Sequence, residues 1–249
     1  MLYATLTFWL MAIVLMAWGV HQLLSGLLKP RTVNMIVLPG TLVAQLGHVL
    51  GLLVTGATVS NTTLYKDDDT AAPEATTDAK PRIPLLGPVI VGMLPLLACV
   101  GGIVAVVYFL GGWVIEGAAG LRVARALPAS LPAFWESLRD QITLVESLTD
   151  ALVYSDWRRW QVWTFVYLMI CLTVRMAPFP GTLRGSLGAI VILGLGLALA
   201  NLVLPSTEDG ASRTWGVLSI CVAFLSLLLL LSVTVRGLVG LFKLLAGKA

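Results

Sequence analysis

The residues best suited to chemistry in this chain are few, and one of them lies inside an apolar segment. His48 is one of two histidines, and it stands with Gln45 in the uncharged run 33–55. An ionisable side chain within a membrane-spanning segment is a candidate functional group, because its burial in lipid costs free energy. The alternative is a neutral His48 that hydrogen-bonds to Gln45, Thr41 or a backbone carbonyl, and we favour this structural interpretation.

The other potential nucleophiles and metal ligands are isolated. The three cysteines, Cys99, Cys171 and Cys221, lie in separate apolar runs without disulfide or metal-ligand spacing, and we interpret them as packing residues. His21 lies in the first apolar segment and is expected to be a hydrogen-bonded interior or interfacial group. The acidic run 67–69 lacks the regular ligand spacing of a calcium loop, so it is expected to be solvated.

The composition identifies lipid as the solvent of most of these residues. The chain has 249 residues, of which 58% are hydrophobic and 12% charged, and its mean hydropathy is +0.92. A soluble domain has about a quarter of its residues charged. The net charge of +3 is small and forms no basic patch, which argues against nucleic-acid binding. We therefore predict an integral membrane protein.

Six segments are apolar enough to cross a bilayer, which takes about 20 residues in a helix. They are 2–24, 33–55, 84–110, 160–176, 186–204 and 215–242. The predicted fold is an all-α membrane protein with about six transmembrane helices in a single domain, 1–249. Lysine and arginine divide evenly between the two sides of this arrangement, so they predict no orientation.

Three connecting features complete the prediction. The segment 60–82 is rich in charge, Pro, Ala and Thr, and it is predicted to be a solvated acidic loop. In 130–156, apolar residues recur every three or four positions with charges opposite, which predicts an amphipathic helix at the membrane surface or over the mouths of the spanning helices. The β-favouring residues of 57–65 predict a short extended segment after the second helix.

The stretch 38–50 has the sequence Leu-Pro-Gly-Thr-Leu-Val-Ala-Gln-Leu-Gly-His-Val-Leu. It resembles the zinc-motif segment of the site-2-protease family of intramembrane metallopeptidases. In that family Pro-Gly precedes His-Glu-x-x-His on a membrane helix, and a small-residue turn and a strand follow. The two histidines hold zinc on one helical face and the glutamate is the general base. The stretches 84–97 and 176–188 resemble later segments of the family, the second of which supplies an aspartate as third ligand.

The departures from this pattern decide what the resemblance implies. Ala44 stands at the first histidine, Gln45 at the general base and Thr182 at the aspartate, so only His48 remains. The resemblance therefore implies a degenerate former site (Ala44, Gln45, His48 and Thr182) with no catalytic residue, no metal and no cofactor. It also implies a multi-pass protein of a prokaryotic cytoplasmic membrane.

Three functions stay open at this point. The first is a non-catalytic member of the family that binds or scaffolds a partner, so that its partners are the bilayer and either another membrane protein or a second copy of the chain. The second is a structural subunit of a membrane complex unrelated to proteolysis. The third is an active peptidase with an altered metal site. Because the spans hold few ionisable groups and show no internal repeat, ion-coupled transport is disfavoured.

Overall fold

The computed structural model describes residues 2–56, 59–63, 74–77, 86–115, 128, 130–177, 183–203 and 207–245. This described part of the chain is predominantly helical. Its elements are α1 (Leu2–Leu27), α2 (Pro30–Ile36), α3 (Leu38–Val54), β1 (Val59–Thr63), β2 (Glu74–Thr77), α4 (Leu86–Leu110), α5 (Gly112–Ile115), α6 (Leu131–Tyr154), α7 (Trp160–Val174), α8 (Leu183–Val203) and α9 (Thr207–Leu245).

Three of these helices are long and apolar enough to cross a membrane. They are Tyr3–Leu27 in α1, Val89–Leu110 in α4 and Trp215–Phe242 in α9. Shorter apolar helices cover Leu38–Val54, Trp160–Val174 and Leu187–Leu199. Each predicted span thus contains an apolar helix, but within the described ranges only three helices are both long enough and apolar enough for a complete traverse.

The predicted span 33–55 is not one continuous helix, because it divides at Val37. The N–H of Val37 bonds to the carbonyls of Val33 and Met35 between the end of α2 and the start of α3. Pro39 explains the division, since it has no N–H to donate to the carbonyl of Met35, four residues earlier. The sequence therefore contained the reason for the break.

The acidic segment predicted to be a solvated loop contains paired strands. β1 and β2 are antiparallel, with Asn61 opposite Thr76 and Thr63 opposite Glu74. Gly56 precedes β1 with a φ of 74°, a left-handed conformation that glycine adopts without steric cost. β1 lies inside the segment predicted to be extended, and 64–73 and 78–85 lie outside the described residues.

The first and last helices, α1 and α9, run parallel to each other. Trp9 and Trp215 have ring centroids 5.0 Å apart, and Ser226 Oγ lies 3.5 Å from Met16 Sδ. Residue numbers at the contacts therefore rise together along both helices. Six spans that alternate in direction would make the first and last antiparallel, so this pair does not fit the predicted alternation.

The amphipathic helix predicted in 130–156 is confirmed as α6. It begins at Ser130, whose Oγ accepts the Ala133 N–H at 3.3 Å, as expected for a side-chain N-cap. α6 packs against α9 through a buried face that includes Leu144 and Leu148. Phe134, near the start of α6, packs against Trp9 of α1 with ring centroids 6.1 Å apart, so α6 begins beside the start of α1. Its position at the membrane surface stays a prediction.

Candidate functional site

Three of the four residues of the predicted degenerate site lie on α3. Ala44 and Gln45 are buried, with 1% and 3% of their surface exposed, and His48 is half-buried. Ala44 and His48 are one helical turn apart, so they share a face of the helix. Thr182 lies outside the described residues, and α8, which begins at the next residue, packs against α1 and α4.

Glycines on α3 allow its backbone to lie unusually close to α4. A Cβ at Gly47 would be 2.8 Å from Pro95 Cα, and one at Gly51 would be 3.0 Å from Val91 Cα. Small residues permit this approach between membrane helices, where packing takes the place of the hydrophobic effect. The close approach brings His48 within reach of the α4 backbone.

His48 uses that proximity to bind a backbone group. Its imidazole N–H donates a hydrogen bond to the backbone carbonyl of Val91. Pro95 lies inside α4, and because it has no N–H, the carbonyl four residues earlier loses its helical partner. That carbonyl belongs to Val91. His48 therefore satisfies an acceptor that Pro95 leaves free, as buried backbone groups in lipid require.

Gln45 is the residue that the resemblance places at the general base. Its side chain is buried, and its Nε2 has no hydrogen-bond partner among the described residues. A glutamine amide has nearly the shape of a glutamate but does not accept a proton at neutral pH. Gln45 thus keeps the volume of the expected glutamate and lacks its ability to activate water.

The described arrangement supplies one metal ligand at most. An imidazole that donates one N–H keeps a single acceptor nitrogen, so His48 offers one lone pair and Ala44 offers none. In the described part of the chain, no group of three or more His, Cys, Asp and Glu side chains could hold a metal ion. Catalytic zinc takes three protein ligands and a water, so these residues do not form such a site.

A second polar site lies where α1, α2 and the end of α7 meet, and we call it the polar centre: His21, Asn34 and Arg175. Arg175 is 7% exposed, and its Nη2 donates to Asn34 Oδ1 at 2.6 Å. Asn34 also shares a hydrogen bond with the His21 imidazole. The centre therefore joins α1, α2 and the end of α7.

Among the described residues, the charge of Arg175 is only partly compensated. Its Nε is buried and has no hydrogen-bond partner among the described residues, and no carboxylate of the described residues pairs with it. The residue caps the C-terminal end of α7, where the helix dipole favours a cation. The Asn34 carbonyl and this dipole are the stabilising partners that the structure shows.

Two further residues of α7 bind the junction between α2 and α3. Tyr167 Oη donates to the Ile36 carbonyl at 2.8 Å, and Cys171 Sγ donates to the same oxygen at 3.4 Å. Carbonyls at a helix end lack intrahelical partners. With Arg175, these side chains form a stripe at four-residue steps that fixes the end of α2 against α7.

The polar centre was only partly visible in the sequence. An arginine at the end of an apolar segment is a functional candidate, and Arg175 follows Tyr167 and Cys171 at helical spacing. Nothing in the sequence pairs Arg175 with Asn34, however, since 141 positions separate them. The expectation that His21 is a hydrogen-bonded interior or interfacial group agrees with its bond to Asn34.

No family model, curated protein or solved structure matches this chain. The resemblance to the site-2-protease family is therefore carried by the short stretches quoted above. What this resemblance implies about the site and the function stays a prediction.

Proposed function

We propose that this chain is a non-catalytic, multi-pass membrane protein of site-2-protease-like organisation that binds or scaffolds a membrane partner. The observation that supports it most is the single face of α3 that holds Ala44 and His48, with Gln45 buried beside it. This helix leads through Gly56 into β1, as the resemblance implies. We place the protein in a prokaryotic cytoplasmic membrane on the same grounds.

The loss of catalysis follows from the donor set. Ala44 and Gln45 stand where zinc hydrolysis needs a ligand and a base, and His48 is engaged with the Val91 carbonyl. A general base contributes about 10²–10⁴-fold to rate, and a single ligand does not retain zinc. On this proposal His48 ties α3 to α4, and the segment serves packing.

The partner-binding role is proposed for the edge of the hairpin. β1 pairs with β2 on one side only within the described residues, so its other edge presents backbone N–H and C=O groups. An extended peptide can add to such an edge by main-chain hydrogen bonds. An unwound segment of a membrane partner is the occupant that this arrangement fits.

Restoring the lost groups tests the proposal. The variant Ala44→His, Gln45→Glu, Thr182→Asp should bind about one zinc per chain, because the third ligand would join two on α3. The control variant Ala44→His, Gln45→Glu, which keeps Thr182, should bind zinc much more weakly. If the triple variant binds no more zinc than the unaltered chain, the alignment of 182 with α3 is wrong and a structural subunit becomes the better explanation.

A further inference from the structure

The directions of α1 and α9 constrain how often the chain crosses the membrane. A Cβ at Gly19 would lie 3.1 Å from Leu229 Cδ1, and one at Gly26 would lie 2.5 Å from the Arg236 guanidinium. With the Trp9–Trp215 contact, these pairs hold α1 and α9 parallel over most of α1. An odd number of traverses must then separate the two helices, whereas six alternating spans would place four between them.

The intermediate helices α3 and α4 run in opposite directions. A Cβ at Gly102 would lie 3.6 Å from Val43 Cγ1, and one at Gly51 would lie 3.0 Å from Val91 Cα. From one contact to the next, the residue numbers rise along α3 and fall along α4, so the two helices are antiparallel. Since α3 follows α1 through the short α2, the order α1, α3, α4 alternates.

α7 continues this alternation. A Cβ at Gly102 would lie 3.0 Å from Leu172 Cδ2, and the Arg159 guanidinium lies 4.8 Å from the Trp113 ring. Trp113 follows α4 and Arg159 precedes α7, so α7 begins at the end of the bundle where α4 finishes. Whatever the path of the intervening chain, α7 runs antiparallel to α4. Three apolar helices thus already run the length of the bundle between α1 and α9, and the charged α6, which begins beside Trp9, is not counted among them.

α8 does not supply a fourth traverse, because it lies at the end of the bundle toward which α7 runs. Gly194 packs against Thr7, near the start of α1, and a Cβ at Gly92, near the start of α4, would be 3.8 Å from Ala189 Cβ. α7 has 15 residues, a length of about 22 Å, which is shorter than the hydrocarbon core of about 30 Å.

We propose that α7 and α8 are the two halves of one interrupted traverse. The bundle then has five traverses, made by α1, α3, α4, α7 with α8, and α9, and the Leu2 end of α1 and the Leu245 end of α9 face opposite sides. Arg175, at the end of α7, lies at the interruption inside the bundle. Exposed helix ends are tolerated at membrane depth only within protein or beside a cavity, and the polar centre provides that protein environment.

Impermeant labelling distinguishes the two topologies. Thr70→Cys and Ser206→Cys place single reporters between α3 and α4 and between α8 and α9, against native cysteines that are buried. Arg158→Cys places a third reporter at the exposed start of α7. In sealed vesicles, a membrane-impermeant maleimide should modify residues 70 and 206 from the same side and residue 158 from the other. Six alternating spans would instead put residues 206 and 158 together, and that result would overturn the proposal.

Tags at both ends of the otherwise unaltered chain give a second test that needs no internal substitution. Protease protection in the same vesicles should show the two tags on opposite sides. Two tags on one side would refute five traverses. This topology does not depend on the proposed loss of catalysis, because neither readout involves zinc.

Discussion

His48 donates a hydrogen bond to the Val91 carbonyl, and Pro95 is the reason that this carbonyl lacks a helical partner. The histidine and the proline therefore form one structural unit across the α3–α4 contact. This relationship gives His48 a role that needs no metal. It also makes the contribution of His48 to stability depend on Pro95.

Replacing His48 tests that dependence. His48→Ala should lower the free energy of unfolding by about 1 kcal/mol, the usual size of a hydrogen bond between membrane helices. In a Pro95→Ala background the loss should be smaller, because the new N–H can bond to Val91. The measurement is unfolding in mixed detergent micelles. Equal losses in the two backgrounds would show that His48 does not act through this carbonyl.

The glycine contact between α3 and α4 predicts a contrast between two equivalent substitutions. Gly47→Ala should destabilise the protein by about 1–3 kcal/mol, the usual cost of overpacking, because its Cβ would be 2.6 Å from the Leu94 carbonyl oxygen. Gly101→Ala is the matched control, since a Cβ there meets nothing within 4 Å, and alanine raises helix propensity by up to about 1 kcal/mol. If both variants unfold alike, the close packing at Gly47 is incorrect.

The polar centre predicts coupling between Asn34 and Arg175. Asn34→Leu should cost about 2 kcal/mol, because it removes the acceptor of a hydrogen bond from a buried charged group. In an Arg175→Met background the same change should cost clearly less, since no charge is left without its partner. Unfolding of the four proteins of this cycle measures the coupling. Additive effects would contradict the bond at 2.6 Å.

The packing face of α6 predicts where a new charge is tolerated. Leu148→Asp should lower stability by at least about 3 kcal/mol, because a 5%-exposed leucine would become a buried carboxylate. Ile142→Asp, at a position that is 64% exposed, should have little effect in detergent. Protease sensitivity of α6 would report its release from α9. A more severe effect at 142 than at 148 would mean that the helix docks by the other face.

Hydropathy and helical periodicity were sufficient to locate the spanning helices, because each buried segment must itself be apolar, whatever its neighbours in the fold. α6 was predictable in this way, whereas the division at Val37, for which Pro39 supplies the reason, was not predicted. The direction of α9 in the bundle could not be predicted, because the number of apolar residues in a segment does not depend on the direction in which the helix runs. The bond between Asn34 and Arg175 was also beyond reach, since only tertiary packing brings α2 to the end of α7.

Two details of the structure differ from what the sequence predicted. The hairpin β1–β2 lies in a segment whose charge suggested a solvated loop, yet its backbone pairs as two antiparallel strands, and its sequence includes β-favouring valine and threonine. For α6, the periodicity correctly predicted an amphipathic helix but did not identify the residues at the centre of its buried face. Leu138 belongs to the apolar side, whereas the structure buries Leu144 and Leu148 more fully.

Metal analysis of the unaltered chain tests the central claim most directly. The protein should be purified in detergent without added zinc, then equilibrated with one equivalent of zinc and dialysed, with His48→Ala treated in parallel. We expect far less than one zinc per chain in both proteins, because His48 offers a single ligand and Ala44 offers none. About one retained zinc per unaltered chain, lost in His48→Ala, would contradict the claim that this site has no metal and no catalysis.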